Sequence, residues 1–428
     1  ISYVKGAPEV ILKRCTKEFI HGNVVSLTEK RRLELKAVHE GMASEALRVL
    51  GFAFREIGKI NQKTAESDLI FVGFQGMLDM PRKEVKTAIG HSLDAGIKVK
   101  MITGDSLLTA QAVSKMIGLH GDSVECREME KMSEEDFDAC VRGKVIFARV
   151  TPEIKLKIVK SLKKQGEIVA VTGDGVNDIL ALKEAHIGVA MGIRGTDVAR
   201  EVSDIILLDD NFSSIVSAVR EGRRVYDNMK KSIKFHLAAN AGELLLVLCA
   251  MIMFLPLPLL PLAILWMNLI TDSLPGISLS FEKEDGDIMR RGPLTNSKSS
   301  LMFNIWKFTI IAGIILFISA MAVFLLYYES DLAKARTMAL TTAVFFEMFI
   351  VFVCRSDKNI WKIGLMSNKP LLYAVVLTIV LQLIAIYTPL ALVFGFVPLS
   401  LTELGLAITA SSAGFIFFET MKALKIKI

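Results

Sequence analysis

The chain has 428 residues, enough for more than one domain, and is 52% hydrophobic with a mean hydropathy of +0.45. That is too apolar for an ordinary soluble protein, and the long apolar runs all lie beyond about residue 230. The net charge of +6 comes with Lys and Arg clustered at the ends of those runs, a membrane-topology pattern rather than a nucleic-acid-binding one. Five cysteines (Cys15, Cys126, Cys140, Cys249, Cys354) lack metal-ligand spacing and framework density, so they read as reduced thiols.

The first block, 1–68, reads as a partial α+β domain. A strand at 1–4 runs into Lys5-Gly6-Ala7-Pro8-Glu9, where Pro8 and Glu9 suit a helix's first turn. A helix at about 28–46 and a strand at 48–54 follow. Ile1 already lies in what looks like the middle of a domain, so the chain reads as a fragment.

Residues 69–219 alternate strands with helices. Strands are expected at 70–73, 98–102, 145–148, 168–171, 187–190 and 204–207, with helices at 83–95, 106–117, 152–164 and 178–184. That alternation predicts a doubly wound parallel sheet. Three segments at its strand ends carry chemistry. Val171-Thr172-Gly173-Asp174-Gly175-Val176-Asn177-Asp178 crowds oxygen ligands beside two glycines, which suits a hard cation such as Mg²⁺. Thr103-Gly104-Asp105 ends another strand with amides placed to hold a phosphate. Lys155 sits in a helix's first turns, where a cation gains from a nearby anion.

A basic helix at 211–234 becomes apolar without a breaker. Six candidate membrane helices follow, at about 233–254, 259–279, 304–328, 335–354, 370–393 and 402–423. Every second loop is basic, which predicts a multi-pass protein with its soluble domains and both chain ends cytosolic. Inside the apolar runs lie Asn240 and Glu243, then Asn268, Thr271 and Asp272, then Glu347. Charged groups at mid-bilayer cost about 3 kcal/mol each, so the set points to cation binding; interhelical hydrogen bonding is the competing reading. Oxygen-only ligation suits Ca²⁺, or less demandingly Na⁺, K⁺ or H⁺.

Strand-end phosphate and magnesium loops joined by a basic helix to an intramembrane oxygen cluster resemble a P-type cation-transporting ATPase. Lys5-Gly6-Ala7-Pro8-Glu9 resembles the family's nucleotide motif and Arg48 a second nucleotide contact. Leu78-Asp79-Met80-Pro81-Arg82 resembles its Asp-Pro-Pro-Arg hinge, with Met80 departing from the pattern. Thr103-Gly104-Asp105 and the 171–178 loop resemble motifs of the haloacid dehalogenase fold, with Ile179-Leu180 in place of the usual Ala-Pro and His186 in place of an acid. Asn240-Ala241-Gly242-Glu243, Asn268-Leu269-Ile270-Thr271-Asp272 and Glu347 look like the calcium pumps of the sarcoplasmic-reticulum type.

The resemblance implies a haloacid-dehalogenase-like α/β cytosolic domain followed by an all-α six-helix transmembrane domain. It implies ATP-driven Ca²⁺ transport through an aspartyl-phosphate. Asp174 would hold Mg²⁺; Thr103, Gly104 and Asp105 would meet phosphate; Lys155 would neutralise developing charge, with Asn177 and Asp178 in support. Lys5, Gly6 and Arg48 would line the ATP side, and the intramembrane set would ligate the transported cation. The partners implied are the lipid bilayer, ATP, metal cations and a missing N-terminal portion of the pump, because the family's Asp-Lys-Thr-Gly-Thr, its Thr-Gly-Glu-Ser loop and four membrane helices are not in this sequence. A sodium/potassium- or proton-type pump, a membrane-tethered dehalogenase-type phosphatase and a non-catalytic remnant are the alternatives.

Overall fold

The computed structural model describes residues 1–45, 47–56, 66–77, 80–284, 286, 288–293 and 305–426. Of the sequence features above, Leu78 and Asp79 of the hinge-like motif lie outside the described residues. The chain divides into two compact units, 1–218 with 289–292, and 219–288 with 293–428. All five cysteines are free.

The first unit begins with β1 (Ser2–Gly6), α1 (Pro8–Arg14), β2 (Cys15–Ile20), β3 (Asn23–Ser26), α2 (Glu29–Ser44), β4 (Arg48–Arg55) and β5 (Leu69–Met77). Thr28 caps α2 by accepting from the Arg31 N–H, as its hydroxyl before a charged helix suggests. The strands form one sheet in the order β1-β4-β5-β2-β3 over a core of Ile11, Leu12, Cys15, Leu35, Leu69 and Phe71. The sequence reading missed the β2–β3 hairpin, whose turn residues His21 and Gly22 both have positive φ, 48° and 87°. It also placed 70–73 in the second block. The structure corrects this: β5 pairs with β4 and β2, so the first block runs to Met77 rather than ending at 68. Periodicity identifies a strand but not its partner.

Next come α3 (Lys83–Asp94), β6 (Met101–Ile102), α4 (Leu107–Met116), β7 (Ser123–Glu125), α5 (Cys126–Met129), α6 (Glu134–Gly143), β8 (Ile146–Ala148) and α7 (Pro152–Lys164). Then follow β9 (Ala170–Gly173), α8 (Ile179–Glu184), β10 (Ile187–Met191), α9 (Asp197–Glu201) and β11 (Ile205–Leu207). Every strand pair is parallel, as the alternation predicts. Among the described residues, however, the strands form two three-stranded sheets, β6-β8-β7 and β9-β10-β11, rather than one continuous sheet. Helix α7 serves both: Ile154 and Ile158 enter the core with Phe137 and Phe147, while Val159 enters the core with Val171, Leu182 and Ala190. Strand β7 was invisible in the sequence because three residues give no period to read.

Helix α10 (Phe212–Ile252) is continuous over 41 residues, about 60 Å at 1.5 Å per residue. In the second unit it is followed by α11 (Pro261–Trp266), a π-helical segment Met267–Asp272, α12 (Ser273–Ser278) and a 3₁₀ turn Leu279–Phe281. The remaining helices are α13 (Trp306–Tyr327), α14 (Leu332–Cys354), α15 (Ile360–Ile363), α16 (Lys369–Tyr387), α17 (Leu390–Phe394) and α18 (Leu401–Ala423). Among the described residues, six helical stretches are long and apolar enough to cross a membrane, matching the six expected. Helix α14 is buried along nearly its whole length and packs against α13, α16 and α18. The expected helix 370–393 instead ends at Tyr387, and Pro389 separates it from α17, which stops at Gly395 with φ 70°.

Candidate phosphate loop and intramembrane cation site

Strand β9 ends at Gly173, and the chain folds back so tightly that a Cβ there would lie 2.5 Å from Cβ of Asp178. Only glycine permits that approach. The Asp174 N–H donates to Asp178 Oδ2 at 3.2 Å, and Lys155 Nζ donates to Asp178 Oδ1 at 2.7 Å. Both side chains of the Lys155–Asp178 pair are largely buried. Lys155 is held by the first turns of α7, whose cap Thr151 accepts from Ile154 N–H. Asp178 is thus an anion held beside Lys155. The Asp174 side chain is exposed, while its carbonyl accepts from Thr196 N–H at 2.9 Å. Asn177 is exposed on the 3₁₀ turn Val176–Asp178.

The Thr103-Gly104-Asp105 turn follows β6. Thr103 Oγ1 donates to Asp105 Oδ2 and accepts from the Asp105 N–H, both at 3.1 Å. Its backbone is tied to the segment leading into α7: Val150 N–H donates to the Thr103 carbonyl at 3.0 Å and Arg149 N–H to the Asp105 carbonyl at 3.0 Å. Thr103 and Lys155 thus belong to adjoining segments. Arg149 has φ 53°, a left-handed conformation that costs a non-glycine residue about 1 kcal/mol. Its guanidinium meets Glu9 at 2.6 Å and lies 3.8 Å from Glu125. Arg48 Nε lies 3.9 Å from Asp105 Oδ1, joining a residue read as nucleotide-side to one read as phosphate-side. Gly6 pairs with Gly51 across β1 and β4, and Lys5 is exposed on β1. The Arg149–Glu9 pair was missed because the residues are 140 apart and share no local pattern.

In the second unit, Glu243 of α10, Asp272 of the π segment and Glu347 of α14 each offer a carboxylate oxygen within 4.8 Å of the others. All three are buried, at 5%, 1% and 0% exposure. Thr271 Oγ1 donates to Glu347 Oε2 at 2.8 Å. Glu243 Oε1, both oxygens of Asp272 and Glu347 Oε1 are buried with no hydrogen-bond partner. Burying an ionised carboxylate costs several kcal/mol, and the four unpartnered oxygens lack the usual compensation. A hard divalent cation fits this donor set. Glu347, alone on its helix in sequence, is a full member of the cluster.

Asn240 and Asn268 are not brought into it. Both are exposed, and each donates from Nδ2 to its own helix, to the His236 carbonyl at 2.8 Å and the Ile264 carbonyl at 3.0 Å. The π segment places its widened turn at Asp272, just before Pro275, which has no N–H for the Thr271 carbonyl four residues back. Gly276 lets α12 approach α10 so closely that a Cβ would lie 2.4 Å from His236 Nε2. The reading from sequence also missed the pairing of half-buried Trp266 with buried Gln382, in which the indole N–H donates to Gln382 Oε1 at 2.8 Å.

Residues 1–84 match the family model for P-type ATPase cytoplasmic domain N, and residues 256–424 match that for the cation transporting ATPase C-terminus. A calcium-transporting ATPase of Bacillus subtilis (strain 168) is 41% identical over 395 residues, 90% of this chain and 44% of that protein. Calcium-transporting ATPase 1 of Bacillus cereus is 39% identical over 449 residues, covering 99% of this chain and 50% of that one. The human calcium-transporting ATPase type 2C member 1 is 38% identical over 430 residues, covering 99% and 46%. The chain belongs to the P-type cation-transporting ATPases. It spans about half the length of the relatives it matches.

Proposed function

We propose that this chain works as part of an ATP-driven pump that carries Ca²⁺ across a membrane through an aspartyl-phosphate intermediate. The observation that carries the reading is the meeting of Glu243, Asp272 and Glu347 at buried, unpartnered oxygens within 4.8 Å of one another. Three carboxylates and a hydroxyl match a divalent, oxygen-seeking substrate better than a monovalent one. Asn240 and Asn268 stay outside the set, each bonded to its own helix, and in this reading further ligands come from helices of the pump's N-terminal portion. The calcium-transporting relatives favour the same cation.

In this reading 1–77 is the end of a nucleotide-binding domain, with Lys5, Gly6 and Arg48 on the ATP side. The parallel-sheet region to about 219 is a haloacid-dehalogenase-like phosphorylation domain. Residues 220–428 form the membrane domain, and the soluble parts and both ends of the chain face the cytosol. The phosphorylated Asp comes from a segment outside this sequence. Thr103, Gly104 and Asp105 receive phosphate oxygens. Lys155 neutralises charge that builds up on the transferred group, and Asp178 holds that lysine in place. Asn177 supports the same loop. The exposed carboxylate of Asp174 fits Mg²⁺, a Lewis acid toward phosphate oxygens. Helix α10 is the covalent link between phosphate chemistry and Glu243.

The test is Asp272→Asn in the full-length pump. Calcium-dependent phosphorylation by ATP should be abolished, and a normal calcium-dependent phosphoenzyme would sink the assignment.

A further inference from the structure

Glu282 directly follows the helical stretch that carries Asp272, and it bonds to residues on the other two helices that carry the cation cluster. Its carboxylate takes two charge-assisted hydrogen bonds from Arg355, Nε to Oε2 at 3.0 Å and Nη2 to Oε1 at 2.9 Å. Arg355 immediately follows α14, the helix of Glu347. The Glu282 carbonyl accepts from Asn228 Nδ2 at 2.9 Å, and the same amide donates to the Ser280 carbonyl at 3.0 Å. Asn228 lies on α10, the helix of Glu243. Asn368, the cap of α16, adds Nδ2 to Glu282 Oε2 at 2.9 Å and to the Ser278 carbonyl at 3.1 Å. Arg355 spends its remaining donors on the Gly364 and Leu365 carbonyls, at 3.1 and 3.2 Å, and on Ser367 Oγ.

All four side chains are buried: Glu282 4%, Arg355 0%, Asn228 2% and Asn368 3% exposed. Arg355 is fully withdrawn from solvent, and every contact above is directional. A planar guanidinium facing a carboxylate fixes both distance and angle, which an apolar contact of the same size does not. Asp272 lies ten residues before Glu282, about 15 Å of helix, and Glu347 eight residues before Arg355, about 12 Å. A slip of one helix past another at this node would therefore be transmitted along stiff rods to the carboxylates.

We propose that Glu282 and Arg355, with Asn228 and Asn368, are positioning residues that set the relative register of the helices bearing Glu243, Asp272 and Glu347, and so tune cation affinity from outside the site. None of the four touches the cation. The inference rests on those three carboxylates being the cation site.

The test uses the full-length pump in four forms: native, Glu282→Gln, Arg355→Lys, and the double variant Glu282→Leu with Arg355→Met. Two quantities are read: the calcium concentration giving half-maximal phosphorylation by ATP, and phosphorylation by inorganic phosphate without calcium. Each single variant should raise the calcium requirement about tenfold or more, the size seen when residues supporting metal ligands are changed. Phosphorylation by inorganic phosphate should stay at the native level. The double variant removes the buried charges together, which cores often tolerate, so it should fold even where the single variants do not. It should keep the raised calcium requirement, because apolar packing restores stability but not register. A native calcium requirement in the folded single variants, or in the double variant, overturns the proposal. A native protein with no calcium dependence instead overturns the cation-site reading and the clamp with it.

Discussion

Thr271 of the π segment donates its hydroxyl proton to Glu347 of α14 at 2.8 Å, so two membrane helices meet through one hydrogen bond inside the carboxylate cluster. Both residues are fully buried. Thr271→Val keeps the shape and removes the donor. The calcium needed for half-maximal phosphorylation should rise about tenfold, and Thr271→Ser should recover most of the loss. An unchanged calcium titration for the valine variant would remove Thr271 from the site.

Lys155 is the only cation shown bonded to Asp178 among the described residues. Lys155→Met should reduce the rate of phosphoryl transfer by about 100-fold or more, the effect expected when a charge-stabilising donor is lost. It should also lower stability by about 1–3 kcal/mol, because Asp178 keeps its burial and loses its partner. Arginine at 155 carries the charge on a broader head and should rescue stability better than rate. Rapid-quench measurement of phosphoenzyme formation, beside thermal unfolding, separates the two effects.

Gly173 allows the fold-back that brings Asp178 beneath Asp174. Gly173→Ala forces the loop open and should cost about 1–3 kcal/mol, as overpacking does. Magnesium-dependent phosphorylation should fall with it. Gly175→Ala is the control, since the nearest atom to its Cβ, Asn177 N, is 3.9 Å away. Equal effects at the two positions would count against a special role for the Gly173 contact.

Asp210 accepts the Ile193 and Arg194 N–H groups at 2.9 and 2.8 Å, tying down the loop after β10. The Ile193 N–H, with Arg194 and Gly192 adding to it, holds its carboxyl below the ordinary aspartate range against the opposing effect of burial. A depressed folded-state pKa stabilises at pH above the unfolded value, and that stability is lost as pH falls through the folded pKa. Asp210→Asn suits the same left-handed backbone, φ 50°, but exchanges an acceptor for a donor. It should lower the melting temperature at pH 7, with the gap to the native protein closing as pH falls below about 4. A gap independent of pH would assign the effect to packing.

Much of the carboxylate cluster was legible because an ionised side chain in an apolar run is expensive wherever it points. Glu243, Asp272 and Glu347 carried that signal. Asn240 and Asn268 carried a weaker one, since an amide can satisfy itself on its own helix, and here both amides do. Arg355 read as an ordinary loop cation; its partner Glu282 is 73 residues away, and nothing local marks the pair as buried. Strand β5 was legible as a strand and illegible in its pairing, because the alternation of side chains says which face is buried and not which sheet. The 171–178 loop carried its glycines and acids openly, while the bond between Asp178 and Lys155 needed the fold.

The π segment Met267–Asp272 puts one extra residue into a helical turn. Each residue of an α-helix accounts for about 100° of rotation, so drawing that turn back to α geometry would swing Asp272 by about that angle relative to the residues on the far side. The far end of this stretch is tethered at Glu282. With Glu282 held, Asp272 would keep its place beside Glu243 and Glu347, and the change of winding would turn the Pro261–Trp266 end of the stretch instead.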